Sequence, residues 1–300
     1  MRKVILAIFL IALIAALSAG CVRGTENVHD VLHEESSAGN QETTVETPAD
    51  QPADEDADME GAEESETGEQ PVEKSAQEEP VKRYYMNKIY DIKPLDEETD
   101  DRVVLLTFDD GPKDLEMIQS MLETLEKHEA KAIFFVNGFR VQSNPELLQM
   151  IHDAGHAIGN HSWDHIALRK QTDEVIRQQV DDVQKIVEET IGVKPLFFRP
   201  PHGSSNEFLR AYVKEQGMLF MTWSNGSLDW DRNHQTPESV VQNVLDQLRP
   251  GSNILMHELP WTVEALDELL TRLTEEGYGF VDPFEIQIET EEAAVEETGV

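Results

Sequence analysis

V-V-L-L-T-F-D-D-G-P, Val103 to Pro112, is the stretch from which the rest of the chain is read. Its first six residues, Val103–Phe108, are rich in β-branched and aromatic types, which predicts a strand. At the carboxyl end of that strand stand two adjacent carboxylates, Asp109 and Asp110, and then a Gly-Pro turn. Neighbouring carboxylates in such a turn can point in different directions and serve two roles. Taken alone, Asp-Asp-Gly-Pro is equally the sequence of a solvated turn or a helix cap.

Similar strand signals recur at Ala132–Val136, Ala157–Asn160, Leu196–Phe198, Leu219–Trp223, Asn253–Met256 and Tyr278–Val281. Between them, apolar residues spaced three and four apart predict helices over Asp114–His128, Pro145–Ala154, Thr172–Thr190, Asn206–Gln216, Pro237–Leu248 and Thr262–Glu275. Asn144, Thr172 and Thr236 stand where N-caps are expected. Seven strands separated by six helices imply parallel pairing through right-handed crossovers. The fold class is therefore α/β, as an open sheet or a closed (β/α) barrel; periodicity does not choose between them. No repeat of about 20 to 50 residues suggests a solenoid.

Reactive residue types gather at the carboxyl ends of these strands, where α/β folds assemble their sites. N-H-S-W-D-H, Asn160 to His165, places His161 and His165 four apart, a spacing that lets two imidazoles face one metal ion. Two exposed polar histidines would look the same in isolation. The zinc-protease pattern with this spacing needs Glu directly after the first His, and Ser162 stands there, which argues against peptidase chemistry. In F-R-P-P-H-G, Phe198 to Gly203, two prolines stiffen the turn and a buried Arg199 would need a carboxylate partner. The backbone N–H of His202 is then free to face an incoming oxygen. T-W-S-N-G-S-L-D-W, Thr222 to Trp230, and N-I-L-M-H-E, Asn253 to Glu258, complete the set. His257 alone reads as a polar strand end; with Asp229 beside it, the same imidazole becomes a poised acid or base.

In this order, T-F-D-D-G-P, H-S-x-x-H, R-P-P-x-G, L-D-W and L-x-H resemble the motifs of the NodB-homology polysaccharide deacetylases, carbohydrate esterase family 4. The resemblance spans residues 102–284. It implies a distorted (β/α) barrel of seven parallel strands and removal of acetyl groups from N- or O-acetylated glycans. It also implies a divalent metal, zinc first and cobalt or manganese as alternatives, held by Asp110, His161 and His165. Carried over residue by residue, Asp109 would be the general base and His257 the general acid. Arg199 would orient Asp109, and Asp229 would hold His257 and raise its pKa. Trp230 and Leu255 would line the acetyl pocket, with the His202 backbone facing the oxyanion. Two positions depart from the family pattern. Residue 202 is commonly Tyr and is His here, which spares a backbone contact but changes what meets the sugar. Gly226 falls where many members have a further Asp, so any contact made by that carboxylate is missing. The expected substrate is an N-acetylated glycan such as peptidoglycan, a chitin-like chain or poly-N-acetylglucosamine. The alternatives are an O-acetyl-xylan esterase and a non-catalytic glycan-binding lipoprotein.

The remaining sequence concerns placement. Arg2 and Lys3 precede an apolar run, Val4–Leu17, and then Ser18, Ala19, Gly20 and Cys21. The run is short of the ~20 residues a permanent membrane helix needs, so residues 1–21 read as an export signal. Cys21 is the only cysteine, which excludes an internal disulfide. L-S-A-G-C resembles a bacterial lipobox, with Ser18 where that motif most often has Leu. The expectation is a lipid anchor on Cys21 at the outer face of the cell membrane; a cleaved secretory signal and an uncleaved anchor are the alternatives.

Sixty acidic against 24 basic residues give a formal charge of −36, unevenly spread. Val22–Pro80 holds 19 acidic and two basic residues, Glu285–Val300 holds six glutamates, and residues 81–284 keep −15. Residues 22–83 are expected to form a disordered acidic linker, because such a composition cannot offset its ordering entropy by burial. Its reach would be about 45 Å as a flexible coil and roughly 200 Å fully extended. Residues 84–101 read as linker or barrel lead-in and residues 285–300 as an acidic tail. Phosphate recognition needs clustered Lys and Arg, so nucleic acid is excluded as a partner, and no protein partner is evident.

Overall fold

The computed structural model describes residues 80–288; the signal with Cys21, the acidic linker as far as Glu79 and residues 289–300 lie outside the described residues. The described chain opens with an antiparallel hairpin, β1 (Tyr84–Met86) and β2 (Ile92–Pro94). Eight parallel strands follow: β3 (Val103–Gly111), β4 (Ala132–Val136), β5 (Ala157–Asn160), β6 (Phe197–Phe198), β7 (Leu219–Phe220), β8 (Asn225–Gly226), β9 (Ser252–His257) and β10 (Gly279–Phe280). They alternate with α1 (Leu115–Lys127), α2 (Gly138–Ser143), α3 (Pro145–Asp153), α4 (Asp173–Ile191), α5 (Glu207–Glu215), α6 (Pro237–Asp246) and α7 (Pro260–Glu275).

The sheet runs β7-β6-β5-β4-β3-β9-β8, and β10 lies beside the first residues of β3. Its two outer strands belong to one stretch of chain, residues 219–226. Met221 N–H reaches Phe198 O at 2.9 Å at one end, and Ser224 N–H reaches Asn253 O at 3.1 Å at the other. One length of backbone thus spans the gap between the sheet's edges. Of the two architectures the periodicity left open, the curled (β/α) barrel is the one formed.

Strand alternation divides the apolar residues between two cores. Val103 and Leu105 of β3, with Ile133 and Phe135 of β4, face the barrel interior. Val104, Leu106 and Phe108, with Phe134 and Val136, face the surrounding helices. Both faces are buried, which is why β3 and β4 read as unbroken apolar runs. Above this filling the interior turns polar: Thr107, Arg199 and Asn253 are fully buried there.

The barrel floor is closed by segments outside the main repeat. Tyr84, Met86 and Ile92 of the hairpin join Val281 and Ile286 in the interior core. Residues 84–94 therefore pad the barrel. The packed chain also runs beyond the limit that composition suggested at Phe284: Ile286 is fully buried and Gln287 N–H donates to Tyr84 O at 2.8 Å. The buried Asp91 carboxylate pairs with Arg249 at 2.8 Å, fixing the hairpin to the turn before β9.

The helix caps follow side-chain chemistry. Thr172 accepts from Val175 N–H and Thr236 from Ser239 N–H, as expected. Asn144 does not cap α3. Its amide donates to Pro112 O and Arg140 O instead, because a six-residue helix absent from the sequence reading, α2, ends on it. The His165-to-Thr172 connection adds a single 3₁₀ turn, Leu168–Lys170.

Gly251 shows how closely the floor is fitted. Its φ is +85°, and a Cβ there would lie 2.0 Å from Ile92 O. Gly251→Ala is expected to destabilise the protein by about 2–4 kcal/mol, combining left-handed strain with an overpacked backbone contact. Urea unfolding checks this; an unchanged midpoint would mean that the hairpin is not seated as described.

Candidate active site

The five motifs that carry the family resemblance all arrive at one end of the barrel. Alternation along β3 turns Thr107 and Asp109 inward, and by the same rule Asp110 would face the helices. It does not, because a bulge interrupts the ladder there: Asp109 pairs with Phe135 while Gly111 pairs with Val136, and Asp110 takes φ +69°. The bulge brings both carboxylates to the same opening. His161 follows β5, Arg199 and His202 follow β6, Asp229 lies after β8, and His257 ends β9 directly beside Asp109 in register.

Asp110 Oδ1 lies 3.4 Å from His161 Nε2 and 3.0 Å from His165 Nε2. One ligand atom from each of the three residues falls within 4.8 Å of the others. The Nδ1 of His161 is 2.7 Å from the Arg199 carbonyl, which can only accept. The proton therefore sits on Nδ1, and the Nε2 lone pair is turned toward Asp110. Asp110 Oδ1 is buried without a hydrogen-bond partner. An orphaned carboxylate oxygen facing the His161 Nε2 lone pair, with His165 Nε2 at 3.0 Å, fits a divalent cation, and an O,N,N donor set suits zinc and its neighbours.

Two further groups flank this cluster, and each is held by a buried partner. Asp109 Oδ1 accepts from Arg199 Nη1 at 2.7 Å, leaving Oδ2 to face the opening, 3.7 Å from His161 Nε2. On the other side, His257 Nδ1 meets Asp229 Oδ1 at 2.7 Å, so its Nε2 is the atom available to a ligand. Asp229 is itself fixed by the His257 backbone N–H at 2.7 Å and the Thr262 hydroxyl at 2.8 Å. Burial opposes a charged His257, but the Asp229 hydrogen bond and charge, joined by Asp109 and Asp110, raise its pKa above the ordinary imidazole value.

The residues expected to meet substrate surround these groups. Leu255 is buried on the inward face of β9, two residues from both Asn253 and His257. Trp230 is 44% exposed, with its ring edge-on to His257 at 5.4 Å and to Trp223 at 6.3 Å. A Cβ added to Gly226 would meet both indoles at 3.7 Å, so the tryptophans fill the space beside the missing carboxylate. His202 lies at φ +57°, its ring 4.7 Å from that of His165. Gly203 N–H and Ser204 N–H close this turn onto Pro200 O and Pro201 O, leaving the His202 N–H outside the turn's own hydrogen bonds. Cys21 lies outside the described residues.

Several supporting residues escaped the sequence reading. Glu258 is buried and accepts from the Lys113 and Asp114 backbone N–H groups at 2.8–3.0 Å, tying the end of β9 to the turn after Asp110. Asn137 donates to His161 O at 2.8 Å, and Trp261 Nε1 donates to Asp229 O at 2.9 Å. Adjacency to His257 was the only available signal for Glu258. Asn137 offered none, because its partner lies 24 residues away.

Fold and site together define a class: a (β/α) barrel with an Asp-His-His cluster at its strand ends, set between a carboxylate and an imidazole that can handle protons. The polysaccharide deacetylase family profile matches residues 96–221. The chain is 38% identical over 182 residues to the peptidoglycan-N-acetylmuramic acid deacetylase PdaC of Bacillus subtilis, covering 60% of this chain and 38% of that one. It is 34% identical to a peptidoglycan-N-acetylglucosamine deacetylase of Bacillus cereus, covering 62% and 88%. Among solved structures, a carbohydrate esterase family 4 pseudoenzyme of Bacillus anthracis, BA3943, matches with TM-score 0.58 and 30% identity over 62% of this chain and 67% of that one. The chain spans 37–66% of the length of several of the curated relatives it matches. It belongs to the polysaccharide deacetylase family, carbohydrate esterase family 4.

The Asp229–His257 pair gives a pH prediction. Asp229 stabilises the imidazolium, so its neutralisation must favour the uncharged ring. In Asp229→Asn the His257 ring is expected to titrate at lower pH than in the parent protein, as followed by NMR of the ring nitrogens. A midpoint that stays in place would show that the carboxylate does not set this proton's affinity.

Proposed function

We propose that this protein is a metal-dependent hydrolase that removes acetyl groups from N-acetylated cell-wall glycan. One observation carries the reading: the Asp110-His161-His165 cluster lies between an Arg199-held carboxylate and an Asp229-held imidazole. Similarity alone does not separate a hydrolase from a binding protein, since a pseudoenzyme is among the structures this chain resembles. The presence of both proton-handling groups favours the hydrolase. The relatives named for peptidoglycan deacetylation support the substrate class.

Asp110, His161 and His165 would hold the ion, with zinc the best match to the donors and cobalt or manganese as alternatives. Bound there, a divalent cation supplies Lewis-acid charge that makes water more acidic and offsets negative charge developing on the acetyl oxygen. Asp109 takes the proton of the attacking water on Oδ2, because Oδ1 remains bonded to Arg199. The carbon–nitrogen bond breaks as His257 Nε2 delivers a proton to the departing sugar nitrogen, giving acetate and a free amine. Asp229 keeps the imidazole charged until that moment. The His202 N–H is placed to donate to the tetrahedral oxyanion, a contact worth about 3 kcal/mol in comparable sites. Leu255 and Trp230 enclose the acetyl methyl and the sugar face.

The same reading places the enzyme outside the cell, anchored through lipid on Cys21, with residues 22–83 as its tether. Its support is the basic start, the short apolar run and the L-S-A-G-C ending. Among the described residues, no helix is long and apolar enough to cross a membrane.

Acetate release from peptidoglycan, N-acetylglucosamine oligomers and acetylated xylan tests the reaction and separates amide from ester cleavage. Asp109→Asn is expected to bind divalent metal as before while losing roughly 10²–10⁴ in turnover, since the base is lost and the ligands remain. Full activity in that variant would remove Asp109 from the mechanism. Chelation should abolish activity, and zinc, cobalt or manganese should restore it. An active, metal-free protein indifferent to chelators would sink the proposed chemistry.

A further inference from the structure

Beyond His202 a cleft of about 740 Å³ leads away from the metal-ligand cluster, lined in part by Arg169, Ser204, Ser205, Glu207 and Arg210. It is continuous with the catalytic group, because His202 belongs to both and its ring lies 4.7 Å from that of His165. Two cations on one cleft stand out in a domain whose own net charge is −15. Among the described residues, no carboxylate forms an ion pair with Arg169 or Arg210. Glu207, three positions before Arg210 on α5, lines the same cleft without pairing with it. Arg210 is held instead by neutral partners. Its guanidinium lies over the Phe220 ring at 4.1 Å, and Nη1 donates to Tyr90 Oη at 3.3 Å. These contacts orient the side chain without engaging it in an ion pair. Arg169 comes from the 3₁₀ turn that follows the His161–His165 loop, and its carbonyl accepts from Asn206, the residue that caps α5. The two cations are thus set by elements that also build the catalytic end.

We infer that this cleft is an anionic-glycan subsite, in which Arg169 and Arg210 bind a carboxylate carried by the sugar next to the one attacked. The inference rests on the deacetylase reading and sharpens its substrate. A homopolymer of N-acetylglucosamine is neutral and gives two unpaired arginines nothing to bind. A peptidoglycan strand carries carboxylates on alternate sugars, either as a free lactyl ether or at the termini and side chains of an attached peptide. Arginine suits either source, because its planar fork matches a carboxylate with two parallel hydrogen bonds. Arg169 and Arg210 are recognition residues here; neither touches the reacting atoms.

The test compares three substrates: a neutral N-acetylglucosamine oligomer, a peptide-free alternating glycan with lactyl carboxylates, and the same glycan bearing its peptides. Acetate release is measured with the metal-loaded protein and with Arg169→Gln, Arg169→Gln/Arg210→Gln and Arg169→Lys/Arg210→Lys. The double glutamine variant is expected to lose about tenfold or more in kcat/KM on an acidic glycan relative to the neutral one, chiefly through KM. The lysine variant should recover part of that loss because it keeps the charge. A deficit on the peptide-free chain assigns the lactyl carboxylate; one confined to the peptide-bearing chain assigns the peptide. Arg169→Gln alone guards against a folding artefact, since it leaves the Arg210–Phe220 packing intact. An equal loss on all three substrates, or none, overturns the subsite and leaves the deacetylase reading standing. If no glycan releases acetate, calorimetric titration of the same glycans into the parent and double glutamine proteins decides the inference separately. Arginine-dependent binding of the acidic chains upholds it, and its absence overturns it.

Discussion

The structure turns on a guanidinium buried inside a barrel. Arg199 has no solvent exposure, so each of its five N–H groups needs an acceptor. Nε and Nη2 both reach Thr222 O, Nη2 also reaches Asn253 Oδ1, and Nη1 reaches Thr107 Oγ1 and Asp109 Oδ1. Its plane lies over Phe135 at 4.3 Å. These partners come from β3, β4, β9 and the chain that closes the sheet, so one side chain cross-links most of the catalytic end. Its own backbone carbonyl fixes the His161 tautomer. Removing such a partner leaves charge uncompensated in a dry interior, a penalty of about 3–5 kcal/mol. The same residue thus sets the orientation of the proposed base and of one proposed metal ligand.

The backbone is strained where the chemistry is expected. Seven non-glycine residues among those described have positive φ, and five of them, Asp110, Ser162, His165, His202 and Leu228, lie at or beside the site. Each such conformation costs about 1–2 kcal/mol and persists only where the surroundings over-determine it. At Asp110 the function of the strain is visible. A regular strand would turn this carboxylate toward the helices, and the bulge returns it to the opening. Asn137, Asn160 and Glu258 supply the buried hydrogen bonds that hold the neighbouring loops in place.

How much of this was legible in the sequence depended on whether a feature left a local signal. The long strands β3 and β4 announced themselves as apolar runs, and the reactive residues announced themselves by ending such runs. β6 and β7 fall inside the expected strands Leu196–Phe198 and Leu219–Trp223, but the two-residue β8 carries no periodicity, so closure of the sheet by residues 219–226 could not be read. The hairpin at Tyr84–Pro94 was equally opaque, because its meaning lies in contacts with Gly251 and Ile286, far along the chain. Glu258 looked like a polar residue at a strand end. Only the fold brings it to backbone N–H groups 144 and 145 residues away.

Charge completes the account of why the ligands sit together. Asp109, Asp110 and Asp229 converge within one barrel mouth, opposed by Arg199 and by His257 in its charged form. Burial makes each unpaired charge in this pocket costly. Asp229 is spent on His257 and Asp109 on Arg199, while Asp110 has only the two imidazoles within ion-pair distance. There the folded chain offers two imidazoles and no strong donor, and Oδ1 remains unsatisfied. A divalent cation held by Asp110, His161 and His165 would offset the charge left on this carboxylate. The neighbouring pairs, already closed on themselves, remain available for moving protons.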